Sequence, residues 1–156
     1  MAPSDPLHVV VAWLGASPLR FEVTDCTLHV TVIPAFTLRA DEETIHRIIR
    51  RVAGGIRPFT ITGVEKAMFG PAGDVPVRRV DSAEIVAAHR ALAAELSGLI
   101  SFIEPSYAGD GYLPHATDQR NARLDEGETE PVNSISLVRI EGPWAEIVDS
   151  YALTGR

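Results

Sequence analysis

One tripeptide occurs twice in this 156-residue chain, once in each half, as His29-Val30-Thr31 and His115-Ala116-Thr117. Each copy sits in a segment with strand character, the first in Leu28 to Ile33 and the second in Tyr112 to Thr117. Successive side chains of a strand point to opposite faces, so His29 and Thr31 share one face while Leu28, Val30 and Val32 take the other. His115 and Thr117 are opposed in the same way to Pro114 and Ala116. Each copy therefore presents an imidazole beside a hydroxyl, about 7 Å apart at the backbone. A fold that uses both copies must bring strands from separate halves of the chain to one place, and the halves read as diverged repeats.

An imidazole is the side chain best suited to moving protons near neutral pH. A threonine hydroxyl can donate to a non-bridging phosphate oxygen. Two such couples facing one cavity supply a base and an acid on opposite sides of one phosphorus, as in-line displacement requires. The tripeptide alone is a weak signal. Ser and Thr fill 19 positions and there are five histidines, so two or more His-x-Ser/Thr arise by chance in about one sequence in nine. The shared Thr and the strand setting add the weight.

The rest of the chain reads as a mixed α+β domain. Leu7 to Leu14 is a short β-branched apolar run, hence a buried strand. Phe21 to Ile33 reads as a second strand, entered at a turn near Asp25 and ended by Pro34. Asp41 is placed to cap a helix running to Val52, with Ile45, Ile48, Ile49 and Val52 as its apolar stripe. Phe59 to Phe69 and Val75 to Val80 form a hairpin around Gly70–Asp74. Asp81, followed three positions on by Glu84, resembles a capping box for a helix with Ile85, Ala88, Leu92, Leu96 and Leu99 on one face. Asn121 to Pro131 is acidic and reads as loop, and Asn133–Ile140 and Trp144–Leu153 close the chain as strands. This order gives largely antiparallel sheets in a single domain spanning residues 1–156.

Composition limits the partners. The net charge is −7, whereas a protein that holds long duplex nucleic acid through its phosphates is normally basic. A compact anionic ligand in a local pocket remains compatible with that charge. The single Cys26 cannot form an intramolecular disulfide, which fits a reducing cytoplasm. No apolar run approaches the ~18–20 residues of a membrane span, so a soluble, cytoplasmic monomer without membrane contact is expected.

The paired motifs, Leu28-His29-Val30-Thr31-Val32 and Leu113-Pro114-His115-Ala116-Thr117, resemble those of the two-histidine (2H) phosphoesterase superfamily. That group includes 2′-5′ RNA ligase-like proteins and cyclic nucleotide phosphodiesterases. The resemblance extends over most of the chain, to the closing strand pair with Trp144. It implies a bilobal, pseudo-two-fold α+β fold with two largely antiparallel sheets around a central cleft and helices outside. It also implies His29, Thr31, His115 and Thr117 as catalytic residues, His115 as base and His29 as acid, and no cofactor or metal. The substrate expected is a nucleotide or RNA-end 2′,3′-cyclic phosphate, with ligation or cleavage of a cyclic oligonucleotide as the alternative. A non-catalytic phosphate-binding role is the third reading. Asp118, where the family has an apolar residue, would end the second strand early or bring a negative charge near the phosphate.

Further residues near the motifs are weighed individually. Tyr112 and Phe36 lie close enough in sequence to stack on a base, with a core role the stronger for Phe36. Arg120 is a candidate cation for the phosphate. Zinc would need a third and usually a fourth ligand; Asp25, Cys26 and Asp118 are near, but in no recognised spacing. His89 falls on the apolar stripe of its helix and reads as a satisfied core histidine, His46 as a solvated one and His8 as structural. Arg47, Arg50, Arg51, Arg57, Lys66, Arg78 and Arg79 read as solvated charges.

Overall fold

The computed structural model describes residues 5–120 and 122–156. Ten strands and two helices follow in the order β1 (Leu7–Trp13), β2 (Arg20–Glu22), β3 (His29–Leu38), α1 (Glu42–Gly54), β4 (Phe59–Phe69), β5 (Val75–Asp81), α2 (Ala83–Leu96), β6 (Ile100–Phe102), β7 (His115–Thr117), β8 (Thr129–Val132), β9 (Ser134–Glu141) and β10 (Trp144–Ala152). All strand pairs are antiparallel, in the spatial order β2-β10-β9-β1-β3-β7-β5-β4-β8, with β6 added beside the far end of β3. The fold is the expected α+β class.

The order divides into two lobes, β2-β10-β9-β1-β3 and β7-β5-β4-β8. They meet at one step, where Val30 of β3 pairs with Ala116 of β7. The two expected sheets are thus one sheet with a narrow seam. The halves correspond about that seam: β1 flanks β3 as β5 flanks β7. Trp13 lies opposite His29 and Val11 opposite Thr31, while Arg79 lies opposite His115 and Val77 opposite Thr117.

One face of the sheet is covered by helices. Ile45, Ile49 and Ala53 of α1 and Ile85, Ala88, Leu92 and Leu96 of α2 join Val10, Val30, Val32, Ile33 and Ala116 in a single core that runs under both lobes. Val30 and Ala116 are fully buried in it. Because they alternate with the His and Thr positions, burying them turns all four polar side chains to the open face. The core therefore orients the motifs. No helix among the described residues is long and apolar enough to cross a membrane.

Several local expectations need correction. β3 starts at His29 and runs through Pro34 to Leu38. Two irregularities in its register with β1 fall between Phe36 and Thr31, and such bulges admit a proline inside a strand. Asp41 caps α1 as expected, accepting from Thr44 N at 2.8 Å. The cap of α2 is Ser82, whose hydroxyl accepts from Ile85 N at 3.1 Å, since Asp81 is still the last residue of β5. That helix ends at Leu96, and Leu99 lies beyond the positive-φ Gly98. Part of the acidic loop is strand β8, whose Pro131 is tolerated at the sheet edge.

Candidate active site

β7 contains only the three residues of the second motif, yet it is a central strand, held by β3 on one side and β5 on the other. The antiparallel pairing of Val30 with Ala116 crosses the two motifs. His29 stands across from Thr117, and Thr31 across from His115. The two histidines occupy one diagonal of this square and the two threonines the other, about 7–8 Å apart at the backbone. All four side chains are half-buried, and neither threonine hydroxyl is bonded to another protein group among the described residues. The structure thus brings together His29, Thr31, His115 and Thr117 on one face.

The imidazoles are fixed by the same local device. His29 Nδ1 donates to the Thr27 carbonyl at 2.8 Å and His115 Nδ1 to the Leu113 carbonyl at 2.7 Å, each two residues upstream. A carbonyl only accepts, so Nδ1 carries the proton and Nε2 is left without a protein partner among the described residues. Each ring also meets an aromatic edge, Trp13 at 5.4 Å for His29 and Phe69 at 4.7 Å for His115. Burial holds both imidazoles below their ordinary pKa, and for His29 the neighbouring His115 adds to the lowering. Both are therefore poised neutral in the free protein, and an arriving phosphate anion would favour protonating one of them.

A cavity of about 330 Å³ opens beside His29. Its wall is largely apolar, made by Val9, Val11 and Trp13 of β1 and Val138 and Ile140 of β9, and His29, Thr117 and Gln119 also line it. Finding one residue of each motif on a single cavity agrees with the crossed register. Cys26 also lines it, with Sγ 3.4 Å from His29 Nδ1. Burial pushes this thiol up to about 11, so it stays protonated and unreactive near neutral pH.

The other expected site residues divide. Phe36 is fully buried on the helix side, stacked on His8 at 5.9 Å, so it cannot receive a base; it lies an odd number of positions from His29 and faces the other way. Tyr112 is likewise buried. Its ring lies flat on His89 at 4.0 Å and its hydroxyl donates to the Thr31 carbonyl at 2.8 Å. It locks the first motif to the loop before the second instead of stacking on a ligand. Arg120 is exposed at the end of the second motif, without a carboxylate partner among the described residues. Asp118 sits beside Lys66 Nζ at 3.8 Å, so its charge is matched and, by alternation, leaves the face that carries Thr117.

His89 is buried and doubly bonded, donating from Nδ1 to the Val32 carbonyl and accepting the Gly109 N–H at Nε2. His8 is buried too, with Nε2 2.8 Å from a Glu42 carboxylate oxygen that also engages Arg139. His46, expected solvated, is instead half-buried against the Tyr151 hydroxyl at 2.9 Å. Arg78 is not a free surface charge: it donates to the Leu124 and Val64 carbonyls, tying the acidic loop to β4.

Two further residues stand beside the histidines: Trp13, to which the sequence assigns no role, and Arg79, which reads there as a solvated charge. Trp13 and Arg79 are equivalent across the seam, and each carries a buried N–H, Nε1 and Nε respectively, that meets no acceptor among the described residues. Arg79 is anchored by Glu65 at 2.8 Å and places a guanidinium on the face of His115. The available signal was the position of each on the strand that flanks its motif.

A family model described as the 2′-5′ RNA ligase superfamily matches residues 4–134. No curated protein matches the chain. Among solved structures, TT0787 of Thermus thermophilus superposes with a TM-score of 0.67 at 18% identity, covering 96% of this chain and 99% of that one. A structure described as a phosphoesterase gives 0.62 at 15% identity, covering 97% and 99%. E. coli LigT complexed with 3′-AMP gives 0.60 at 15% identity, covering 96% and 99%. These structures share the fold.

Proposed function

The chain belongs to the 2′-5′ RNA ligase superfamily, and within it we propose a phosphodiesterase that opens a nucleotide or RNA-end 2′,3′-cyclic phosphate using its two histidines, without a metal. The observation that supports this reading is the Val30–Ala116 pairing, which puts two imidazoles and two hydroxyls at neighbouring positions on one face of the sheet. Complexes of the structural relative LigT with 3′-AMP and with phosphate support a nucleotide phosphate as the ligand class.

A neutral imidazole takes a proton from water at Nε2 as the water oxygen bonds to phosphorus. The bond from phosphorus to one ribose oxygen breaks on the opposite side, and the leaving oxygen receives the proton of the second imidazole. Thr31 and Thr117 donate to the non-bridging oxygens, where charge gathers in the transition state. The product is a nucleoside 2′- or 3′-monophosphate. Reversing the step would join a phosphate to a hydroxyl, so the same four groups also serve a ligase direction.

The test is turnover of nucleoside 2′,3′-cyclic phosphates with chelator present. Activity should persist in chelator and fall about 10²- to 10⁴-fold in His29→Ala and in His115→Ala. Full activity in either variant overturns the mechanism. Joining of RNA ends in place of hydrolysis would move the assignment to the ligase direction.

A further inference from the structure

The four motif residues present polar groups but no fixed charge. Burial keeps both imidazoles neutral in the free protein, and a threonine hydroxyl stays uncharged. The chain as a whole has a net charge of −7, so an approaching phosphate is repelled unless a local cation offsets that field. The four strands that form this part of the sheet, β1, β3, β7 and β5, contain no lysine and two arginines, Arg78 and Arg79. Arg78 lies opposite the buried Ala116, and its guanidinium is taken up by the Leu124 and Val64 carbonyls. Arg79 lies opposite His115 and so stands on the motif face. Neighbouring strands are about 4.8 Å apart, so the middle of the motif square lies about 7 Å from β5, within the span of an arginine side chain.

The bonding of Arg79 is one-sided. Its Nη1 donates to Glu65 Oε1 at 2.8 Å, while Nε is buried and meets no acceptor among the described residues. Nε and Nη2 share the edge of the planar group that matches two oxygens of one phosphate. A desolvated N–H without an acceptor destabilises the free protein. Glu65 thus anchors the guanidinium and leaves that edge unfilled. The equivalent position across the seam is the uncharged Trp13, so the cation stands on the His115 side alone.

We infer that Arg79 binds the reacting phosphate beside His115, meeting two of its oxygens through Nε and Nη2, and supplies the fixed positive charge of the site. The inference rests on the hydrolytic reading above and adds a catalytic residue to it. The guanidinium pivots on its bond to Glu65, and Nε gains the acceptor it lacks. Because a guanidinium stays charged at every working pH, capture of the anion does not wait for an imidazole to be protonated. Charge then gathers on the same oxygens in the transition state, where a bidentate cation holds them more strongly than neutral hydroxyls do.

The test is Arg79→Ala, with Arg51→Ala removing the same charge from the α1–α2 surface, where Arg51 pairs with Glu95. Inorganic phosphate is titrated calorimetrically on the basic side of neutrality, where both imidazoles are uncharged. Arg79→Ala should weaken its binding about 10- to 100-fold, and Arg51→Ala should leave it unchanged. On adenosine 2′,3′-cyclic phosphate, Arg79→Ala should lower kcat/KM by a similar factor with the pH optimum in place. Guanidinium added at a non-denaturing concentration should restore part of that loss, which a mere displacement of His115 would not allow. Arg79→Gln, which still offers Glu65 a donor, takes over the titration if Arg79→Ala fails to fold. Unchanged phosphate affinity, a turnover loss that guanidinium leaves unrelieved, or a loss confined to Arg120→Ala overturns the inference and leaves the hydrolytic reading intact. If no cyclic phosphate is turned over, the hydrolytic reading fails, and the phosphate titration still decides Arg79. A drop in affinity specific to Arg79 upholds its role there; equal affinities, or no phosphate binding by the unaltered chain, overturn it.

Discussion

His29 and His115 are held alike, each Nδ1 tied to the carbonyl two residues upstream and each Nε2 without a protein partner among the described residues. Burial lowers both pKa values, and the mechanism needs one imidazole charged and one neutral. The profile of kcat/KM against pH is then a bell whose limbs belong to the pair. Its maximum should lie on the acid side of the ordinary imidazole value of 6.5. Bound phosphate raises the pair, so the kcat profile should be displaced to higher pH than that of kcat/KM. Coincident or monotonic profiles would contradict a coupled pair. Thr31→Val and Thr117→Val keep the strand shape and remove one donor to a charged oxygen. Each should lower kcat about 10- to 100-fold, with a smaller effect on KM.

At the level of elements, β7 depends on the loop that delivers it. Gly111 passes so close to Ser106 that a Cβ there would lie 1.9 Å from the Ser106 carbonyl oxygen. Backbone must move to admit it. Gly111→Ala should therefore cost about 1–3 kcal/mol in a denaturant melt. It should also lower activity, because Tyr112 follows directly and bonds the Thr31 carbonyl. Gly73→Ala, at a positive-φ turn with open space around it, is the control: it should cost stability through backbone strain alone and leave activity intact. Sequence pattern revealed the motifs, both helices and the long strands, because alternation and apolar stripes are local signals. It could not reveal that Val30 and Ala116 pair, since pairing between segments far apart in the chain leaves no local signal. Nor could it reveal β2, β6 or β8, which are short and exist by pairing with distant partners. Tyr112 read as a ligand contact for the same reason: the ring it stacks on, His89, belongs to another element. Arg79 read as solvated because its neighbour His115 comes from a different stretch of chain.

Across the whole molecule, protonation works against folding on the acid side. His29, His89 and His115 all have folded pKa values below 6.5, chiefly through burial. Between the folded and unfolded values the unfolded chain binds more protons, so stability rises with pH there. Their contribution is complete above about pH 6.5 and is lost as pH falls through the folded values. The Tm should accordingly hold steady from about pH 7 to 8 and drop as the pH falls below about 6.5. His89→Phe keeps a ring on Tyr112 but strands the Val32 carbonyl and the Gly109 N–H. It should cost about 2–4 kcal/mol near neutral pH, yet flatten the drop on the acid side, because one buried proton acceptor is gone.

The narrow join between the lobes has one more implication. The spacing of the two histidines and two threonines is set by main-chain pairing at the middle of the sheet, so outlying packing has little leverage over it. Damage far from the join, at the α1 face or the β4–β5 tip, should reduce the number of competent molecules without slowing those that remain. Counting occupied sites alongside bulk rate would separate the two quantities, and the rate per competent molecule should stay constant.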